Sequence, residues 1–483
     1  MTLTIVGLGP GDIDDLTRRA WTAIESAPTV YLRTAQHPCV PKLPNQANIQ
    51  SFDHLYEASE KFETVYDSIV EAVLIAAQAG DVVYAVPGDP FVGEATTPRL
   101  IAGCEAAGIP VSVIHGISFI EPMLRHAGID AIDNLQILDA LVIGAMHHPP
   151  INPDAPAFIS QVYSRQVASD VKLTLMNQYP DDFEVTLINA AGTGEAIIEK
   201  LPLYEIDHSE HIQHLTSLYL PALGDMSSFE RFQEIIAHLR APEGCPWDRK
   251  QTHESLRPFL LEEAYEVLEA IDSGDTEALA EELGDVLLQI VLHTQIAIDD
   301  GEFQMTDVLR HVNHKMIRRH PHVWGTTDVE NADQVVTNWE VLKKQEKAQN
   351  GTARESILDG IPKGLPALMV AQKYQAKAAK VGFDWDKIED VLAKVHEELD
   401  EVQAATTPED RFEEVGDLLF ALVNWIRFLG IDDPESALRE ANLKFYRRFR
   451  YIEAAVQASN KPFEAYTLPE LDAFWDAAKS QGL

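Results

Sequence analysis

Cysteine is nearly missing: Cys39, Cys104 and Cys245 are the only three in 483 residues, lie far apart and form no CxxC pair. That excludes a disulfide framework and a cysteine-rich zinc site. Positive charge is short as well, with 38 Lys and Arg against 77 Asp and Glu and a net charge of −39. A field of that sign repels nucleic acid and anionic membrane, so neither is expected as a partner. A phosphate-bearing small substrate would need metal cations and a local basic patch. No apolar run reaches the roughly 18 residues of a membrane span, and the opening MTLTIVGLGPGD has no basic segment before its apolar stretch. A cytoplasmic protein is the expectation.

What is present is ordinary globular usage, 46% hydrophobic and 24% charged. At roughly 100–200 residues per domain, the length predicts about three domains. Up to about residue 224, β-rich runs (Thr2–Val6, Thr29–Leu32, Val82–Val86, Val111–Ile114, Lys172–Met176, Val185–Ile188) alternate with the helical stretches Asp15–Ser26, Val65–Ala79 and Thr97–Ala107. Such alternation predicts an α/β domain with largely parallel strands. From about Ser227 the strand signals stop and long amphipathic helices follow, with Gly224–Ser228 as the linker. The expected modules are 1–224, 228–350 and 355–483.

The helical half repeats itself. Glu262-Glu263-Ala264-Tyr265-Glu266 returns as Glu397-Glu398-Leu399-Asp400-Glu401, and Glu281-Glu282-Leu283-Gly284-Asp285 as Glu413-Glu414-Val415-Gly416-Asp417. Asn313-His314-Lys315 with Arg318-Arg319 returns as Asn442-Leu443-Lys444 with Arg447-Arg448, and Trp339 as Trp475. The offsets are 135, 132, 129 and 136. Four blocks in one order indicate a tandem duplication.

At about 100° per residue, Leu260, Ala264, Val267, Leu268 and Ile271 form an apolar face with Glu263, Glu266 and Glu262 at its edge. Ile388, Val395, Leu399 and Val402 do the same beside Glu398, Glu401 and Glu397. Glu282 with Asp285, and Glu414 with Asp417, stand at i, i+3 next to the apolar stretches Val286–Leu292 and Leu418–Val423. Clustered like charges cost helix stability unless something compensates. Carboxylates on facing helices suit Mg²⁺, a hard cation with oxygen ligands. A solvated acidic face is the plainer alternative for one such motif; its pairing, and its recurrence, favour metal.

The EExxE–ExxD pattern resembles the all-α MazG family of nucleoside triphosphate pyrophosphohydrolases. The resemblance covers about residues 228–483, including the flanking Gly244-Cys245-Pro246-Trp247-Asp248 and Val381-Gly382-Phe383-Asp384-Trp385 blocks. It implies Mg²⁺-dependent (or Mn²⁺-dependent) cleavage of a nucleoside triphosphate to monophosphate and pyrophosphate, the metal helping to acidify the attacking water. By motif, the metal ligands would be Glu262 or Glu263, Glu266, Glu282 and Asp285 in the first copy. In the second they would be Glu397 or Glu398, Glu401, Glu414 and Asp417. Lys444, Arg447 and Arg448 share one helical face and suit a triphosphate clamp, with salt bridging to the acidic helices as the alternative. These cations, with Glu398 and Glu401, form the expected catalytic set. Lys373, Lys377 and Trp475 are candidate nucleotide contacts; surface positions and core packing are their plainer readings. The second copy is expected to carry most turnover, because Pro321 closes the first basic helix just past Arg319.

In the first half, Gly7-Leu8-Gly9-Pro10-Gly11-Asp12, Pro87-Gly88-Asp89-Pro90 and His115-Gly116-Ile117-Ser118 each follow a strand, where open α/β sheets bind ligands. The first departs from a dinucleotide-binding GxGxxG because Asp12 replaces the last glycine. Together the turns resemble the tetrapyrrole methylase family, S-adenosylmethionine-dependent enzymes with two α/β subdomains, across about residues 1–224. By that resemblance Gly88, Asp89, Pro90, Gly116 and Ser118 would contact S-adenosylmethionine, and Gly9, Pro10, Gly11 and Asp12 would lie at the active cleft. The third loop departs from the family's Pro-Gly-x-Ser-Ser. The leading expectation is therefore a multi-domain chain, a methylase-like α/β module followed by tandem MazG helical bundles, acting on nucleoside triphosphates as a homodimer. Its rivals are a methyltransferase with a dimerising helical appendage and a nucleotide-sensing scaffold that binds without cleaving.

Overall fold

The computed structural model describes residues 1–58, 62–224, 226–349, 356–459 and 461–483. The expected module ends at 350 and 355, and position 225 of the linker, lie outside them. The chain divides into two compact units, Met1–Arg310 and His311–Leu483.

The first unit begins with two five-stranded sheets. In the first, β1 (Leu3–Gly7), β2 (Val30–Leu32), β3 (Ile49–Ser51), β4 (Val82–Val86) and β5 (Val111–Ile114) run parallel in the order β3-β2-β4-β1-β5. Its central strands are buried on both faces, as Leu3, Ile5, Val6, Val83, Tyr84 and Ala85 are all inside. This is the near-continuous apolar reading that parallel sheets demand. The second sheet holds β6 (Gln136–Asp139), β7 (Ala157–Ser160), β8 (Glu184–Asn189), β9 (Ile197–Pro202) and β10 (Thr216–Leu220) in the order β6-β7-β10-β8-β9. Only β6 and β7 are parallel there; the other pairings are antiparallel.

One expected strand is a helix. Lys172–Met176 falls at the end of the Arg165–Leu175 helix, capped by Ser164. Val167, Ala168, Val171, Thr174 and Leu175 are its buried residues, a helical spacing that the five-residue window was too short to reveal. Beyond β10, Asp154 accepts hydrogen bonds from the Ser227 and Ser228 amides (2.7 and 3.1 Å) and the Ser228 hydroxyl (2.6 Å). Ser228 in turn caps the Phe229–Arg240 helix, so the linker's end is tied to the α/β domain rather than loose.

The antiparallel helices His253–Ser273 and Thr276–Asp299 follow in this unit, packed around Ile236, Leu256, Val291, Leu292, Ile296 and Met305. The apolar face expected on the first of them is not its core face. Leu256 and Ala270 are buried, whereas Leu260 and Ile271 are exposed. In the second unit Val391 and Val395 are buried on the Ile388–Ala404 helix while Leu399 is exposed. Each acidic helix is covered by its own unit on one side, which leaves a second apolar stripe at the surface.

Candidate active site

Each acidic helix presents its EExxE to the ExxD of the following helix, and a three-carboxylate cluster forms in each copy. Glu263, Glu266 and Glu282 have oxygens within 4.8 Å of one another, and so do Glu398, Glu401 and Glu414. Asp285 lies close enough to raise Glu263, after burial of that carboxyl itself. Glu262 stands exposed on the outer side. Desolvation, then the Glu398 and Glu414 carboxylates, hold Glu401 above the usual carboxylate range. Glu282 is raised likewise by desolvation, then by Glu266 and Asp285. Repulsion of this kind is what a bound cation relieves.

The second cluster has two further features. Lys394 Nζ bonds Glu397 Oε1 at 2.8 Å and Glu398 Oε1 at 2.7 Å, and these bonds raise the lysine's own pKa. Glu398 is only 5% exposed, and its Oε2 is buried with no hydrogen-bond partner. An orphaned carboxylate oxygen beside two other carboxylates fits a hard divalent cation, because a buried charge without a partner is costly.

Glu398 and Asp417 also line a pocket of about 380 Å³. Its walls are apolar and aromatic, with Tyr374, Phe383 and Trp385; besides Lys394 and the two carboxylates, its polar groups are Gln375, Asp384, Asn424 and Arg427. Arg427 Nη2 donates to Asp384 Oδ1 (2.6 Å) and Asn424 Oδ1 (2.8 Å). The Ala367–Ala379 helix, the loop after it and the Pro408–Phe428 helix supply these groups. None of Tyr374, Gln375, Lys394, Asn424 and Arg427 stands in the duplicated motifs. Lys394 alone had a signal, sitting three and four residues before Glu397 and Glu398.

The basic residues differ between copies. Arg318 Nε and Arg319 Nη2 are bound to Glu346 at 2.8 and 2.6 Å, and Arg319 lies over Trp339. Lys444 and Arg447 are exposed with no ion pair among the described residues. Arg448 donates to the Leu483 carbonyl at 2.7 Å and lies over Trp475, which also packs on Phe445. Lys377 Nζ donates to the Asp359 carbonyl (2.7 Å) and Lys373 is exposed. Lys373, Lys377 and Trp475 are not among the residues lining the pocket.

In the α/β domain the three glycine turns meet. Gly9 and Gly88 exchange backbone hydrogen bonds (3.2 and 2.8 Å), and Gly9 takes a φ of +78° that favours glycine. A Cβ on Gly116 would strike the Gly88 carbonyl. Asp89 is buried, and its carboxylate accepts from the Phe91 amide (2.9 Å) and Gly116 amide (3.2 Å) and pairs with His115 Nδ1 (2.9 Å). It therefore knits the second and third turns together. Ser118 donates to Glu121 and accepts from the Ile120 amide. Asp12 caps the turn that follows it, and Gly11 bridges to Gly192 beside Pro10. His37, to which sequence reasoning assigned nothing, is buried against Gly9, and burial pushes its pKa down to about 4.

A parallel sheet whose glycine turns converge, followed by paired helices that gather carboxylates, is the architecture of a methylase-type domain joined to a nucleotide pyrophosphohydrolase module. Residues 2–207 match the model of the Tetrapyrrole (Corrin/Porphyrin) Methylases, and residues 251–324 that of the MazG nucleotide pyrophosphohydrolase domain. YabN of Bacillus subtilis is 44% identical over 491 residues, covering 99% of this chain and 98% of that protein. The nucleoside triphosphate pyrophosphohydrolase/pyrophosphatase MazG of Thermotoga maritima is 47% identical over 251 residues, 52% of this chain and 95% of that one. The nucleoside triphosphate pyrophosphohydrolase of Escherichia coli is 44% identical over 262 residues, 53% of this chain and 98% of that one. The chain belongs to the MazG family, carrying a tetrapyrrole methylase domain ahead of the MazG region.

Proposed function

We propose that this chain hydrolyses nucleoside triphosphates to monophosphate and pyrophosphate, mainly at the second carboxylate cluster. The observation that carries the reading is the orphaned Oε2 of Glu398, within a three-carboxylate group and at the edge of a 380 Å³ pocket. Glu398, Glu401 and Glu414 would hold Mg²⁺ or Mn²⁺, with Asp417 one turn beyond Glu414. When bound, the ion supplies positive charge against the phosphate oxygens and promotes ionisation of an attacking water. Lys394 fixes the Glu398 carboxylate through its other oxygen. Lys444 and Arg447, unpaired within the described residues, supply mobile positive charge for a triphosphate, and Arg448 is pinned by its bond to Leu483. The pocket admits the nucleoside between its aromatic walls. The modules 1–224, 228–350 and 355–483 belong to the same reading, as does a cytoplasmic homodimer that covers the exposed apolar stripes.

The test is pyrophosphate release from ATP and dTTP with Mg²⁺. Activity should vanish in excess chelator and return with Mg²⁺ or Mn²⁺; full activity in chelator would sink the metal assignment. For the α/β domain we propose S-adenosylmethionine binding at the converged turns, supported by the tetrapyrrole methylase match. Calorimetry should detect S-adenosylmethionine or its demethylated product. Asp89→Arg should abolish the signal, since it breaks the bonds that hold Gly116 and His115. No heat from the folded wild type would refute the binding.

A further inference from the structure

The pocket beside Glu398 holds two side-chain amides whose orientations are set by their neighbours. Gln375 Nε2 donates to the Phe420 carbonyl at 2.7 Å. A carbonyl can only accept, so the atom facing it is the NH₂ and the remaining Oε1 is an acceptor. That Oε1 is buried without a partner, in a side chain that is 8% exposed and lines the pocket. Asn424 is fixed the opposite way. Its Oδ1 accepts from Arg427 Nε (3.1 Å) and Nη2 (2.8 Å), which leaves its NH₂ as a donor. Phe420 and Asn424 are one turn apart on the same helix, so the acceptor and the donor approach the same face of it.

An unpaired buried acceptor is costly, because it has given up its bond to water and gained none in return. Retaining one inside an aromatic-walled pocket makes sense if a ligand's N–H completes it. Resting on the nucleotide reading above, we infer that Gln375 is a specificity-determining residue that accepts a hydrogen bond from an N–H on the pairing edge of the nucleobase. Asn424 donates to the neighbouring acceptor of that edge. Adenine offers N6–H and N1, cytosine N4–H and N3, guanine N1–H and O6, and uracil N3–H with a flanking oxygen. The pair therefore reads a feature shared by all common bases and disfavours bases without an N–H there. Trp385 and Phe383 supply apolar surface that tolerates any ring.

The decisive comparison is ATP against purine ribonucleoside triphosphate, which differs only in lacking the 6-amino group. Wild-type kcat/KM should favour ATP by about tenfold or more, as expected when a site built for an N–H meets an analogue without one. Gln375→Met, which keeps the side chain's length but removes the amide, should bring that ratio to about one. A ratio near one in the wild type, or an undiminished ratio in the variant, overturns the inference. Equal loss of both nucleotides in the variant makes Gln375 a purely structural residue and overturns it too. Should the wild type release pyrophosphate from neither nucleotide, the hydrolytic reading fails. The ratio of calorimetric Kd values for the same two nucleotides then judges the pocket by the same criteria.

Discussion

The two copies of the helical motif share their carboxylates and differ in nearly everything around them. Each gathers three glutamates within 4.8 Å. By the 135-residue offset, however, the position of Lys394 is Phe259 in the first copy. Its place beside the carboxylates is partly taken by a neutral group, Gln289 Nε2, at 3.4 Å from Glu263. In the second copy, carboxylates and cations all belong to one compact unit; in the first they are divided between two. The cations differ as well, since Glu346 occupies Arg318 and Arg319 whereas Lys444 and Arg447 have no ion pair among the described residues. The same carboxylate set thus stands in two different settings. The family model nonetheless falls on the first copy, at residues 251–324, so motif fidelity and supporting surroundings point to different copies.

The largest effect that separates them is on turnover. Glu401→Gln should lower kcat for pyrophosphate release by about a hundredfold or more, because positioned charge at a phosphoryl centre commonly contributes that much. The counterpart Glu266→Gln should leave most of it, and Asp417→Asn and Asp285→Asn should rank the same way. The reverse ranking would move catalysis to the first copy, and equal losses would indicate two coupled sites.

A smaller effect tests the lysine. Lys394 supplies part of the countercharge that a divalent ion would supply, so Lys394→Met should leave Glu397 and Glu398 to repel Glu401 and Glu414. The expected result is a lower Tm in chelator and a larger rise in Tm on adding Mg²⁺ than the wild type gives. An unchanged Mg²⁺ response would mean that Lys394 and the metal do not share those carboxylates.

Much of this was legible in the sequence, and its limits have physical causes. The parallel sheet was readable because β1, β4 and β5 are β-branched runs ended by glycine turns. The carboxylate clusters were readable because EExxE and ExxD place acidic side chains on single helical faces, a local property. Three acidic side chains per copy come within 4.8 Å of one another, while Glu262, Asp285, Glu397 and Asp417, also expected as ligands, stand outside those groups. The pocket was hidden because Gln375, Trp385 and Asn424 meet only when two helices and a loop pack together. No spacing along the chain records that meeting. The apolar faces misled for a related reason. Leu260 and Ile271 lie on a helix with two apolar sides, and periodicity cannot tell which side its own unit covers.

The smallest effect concerns the cations of the first copy and can be read through pH. Glu346 has its carboxyl held below the usual carboxylate range, first by its hydrogen bond to Arg319 and then, against the cost of burial, by the charges of Arg319 and Arg318. A carboxylate whose folded pKa is depressed contributes stability that is fully present above its unfolded value. The contribution is lost as pH falls through the folded value. Glu346→Gln should therefore destabilise the Ala332–Gln349 helix by about 1.5–3 kcal/mol near neutral pH, the usual range for hydrogen bonds to charged groups. The deficit should shrink as pH falls below about 4.5. Hydrogen exchange in that helix, compared between wild type and variant at several pH values, measures both. The variant also removes the negative charge with which Arg318 and Arg319 are paired. If turnover in a Glu401→Gln background then stays as low as with Glu346 intact, the ion pair of Glu346 with Arg318 and Arg319 does not account for the proposed difference between the copies. The difference would then lie with Lys394 and the pocket.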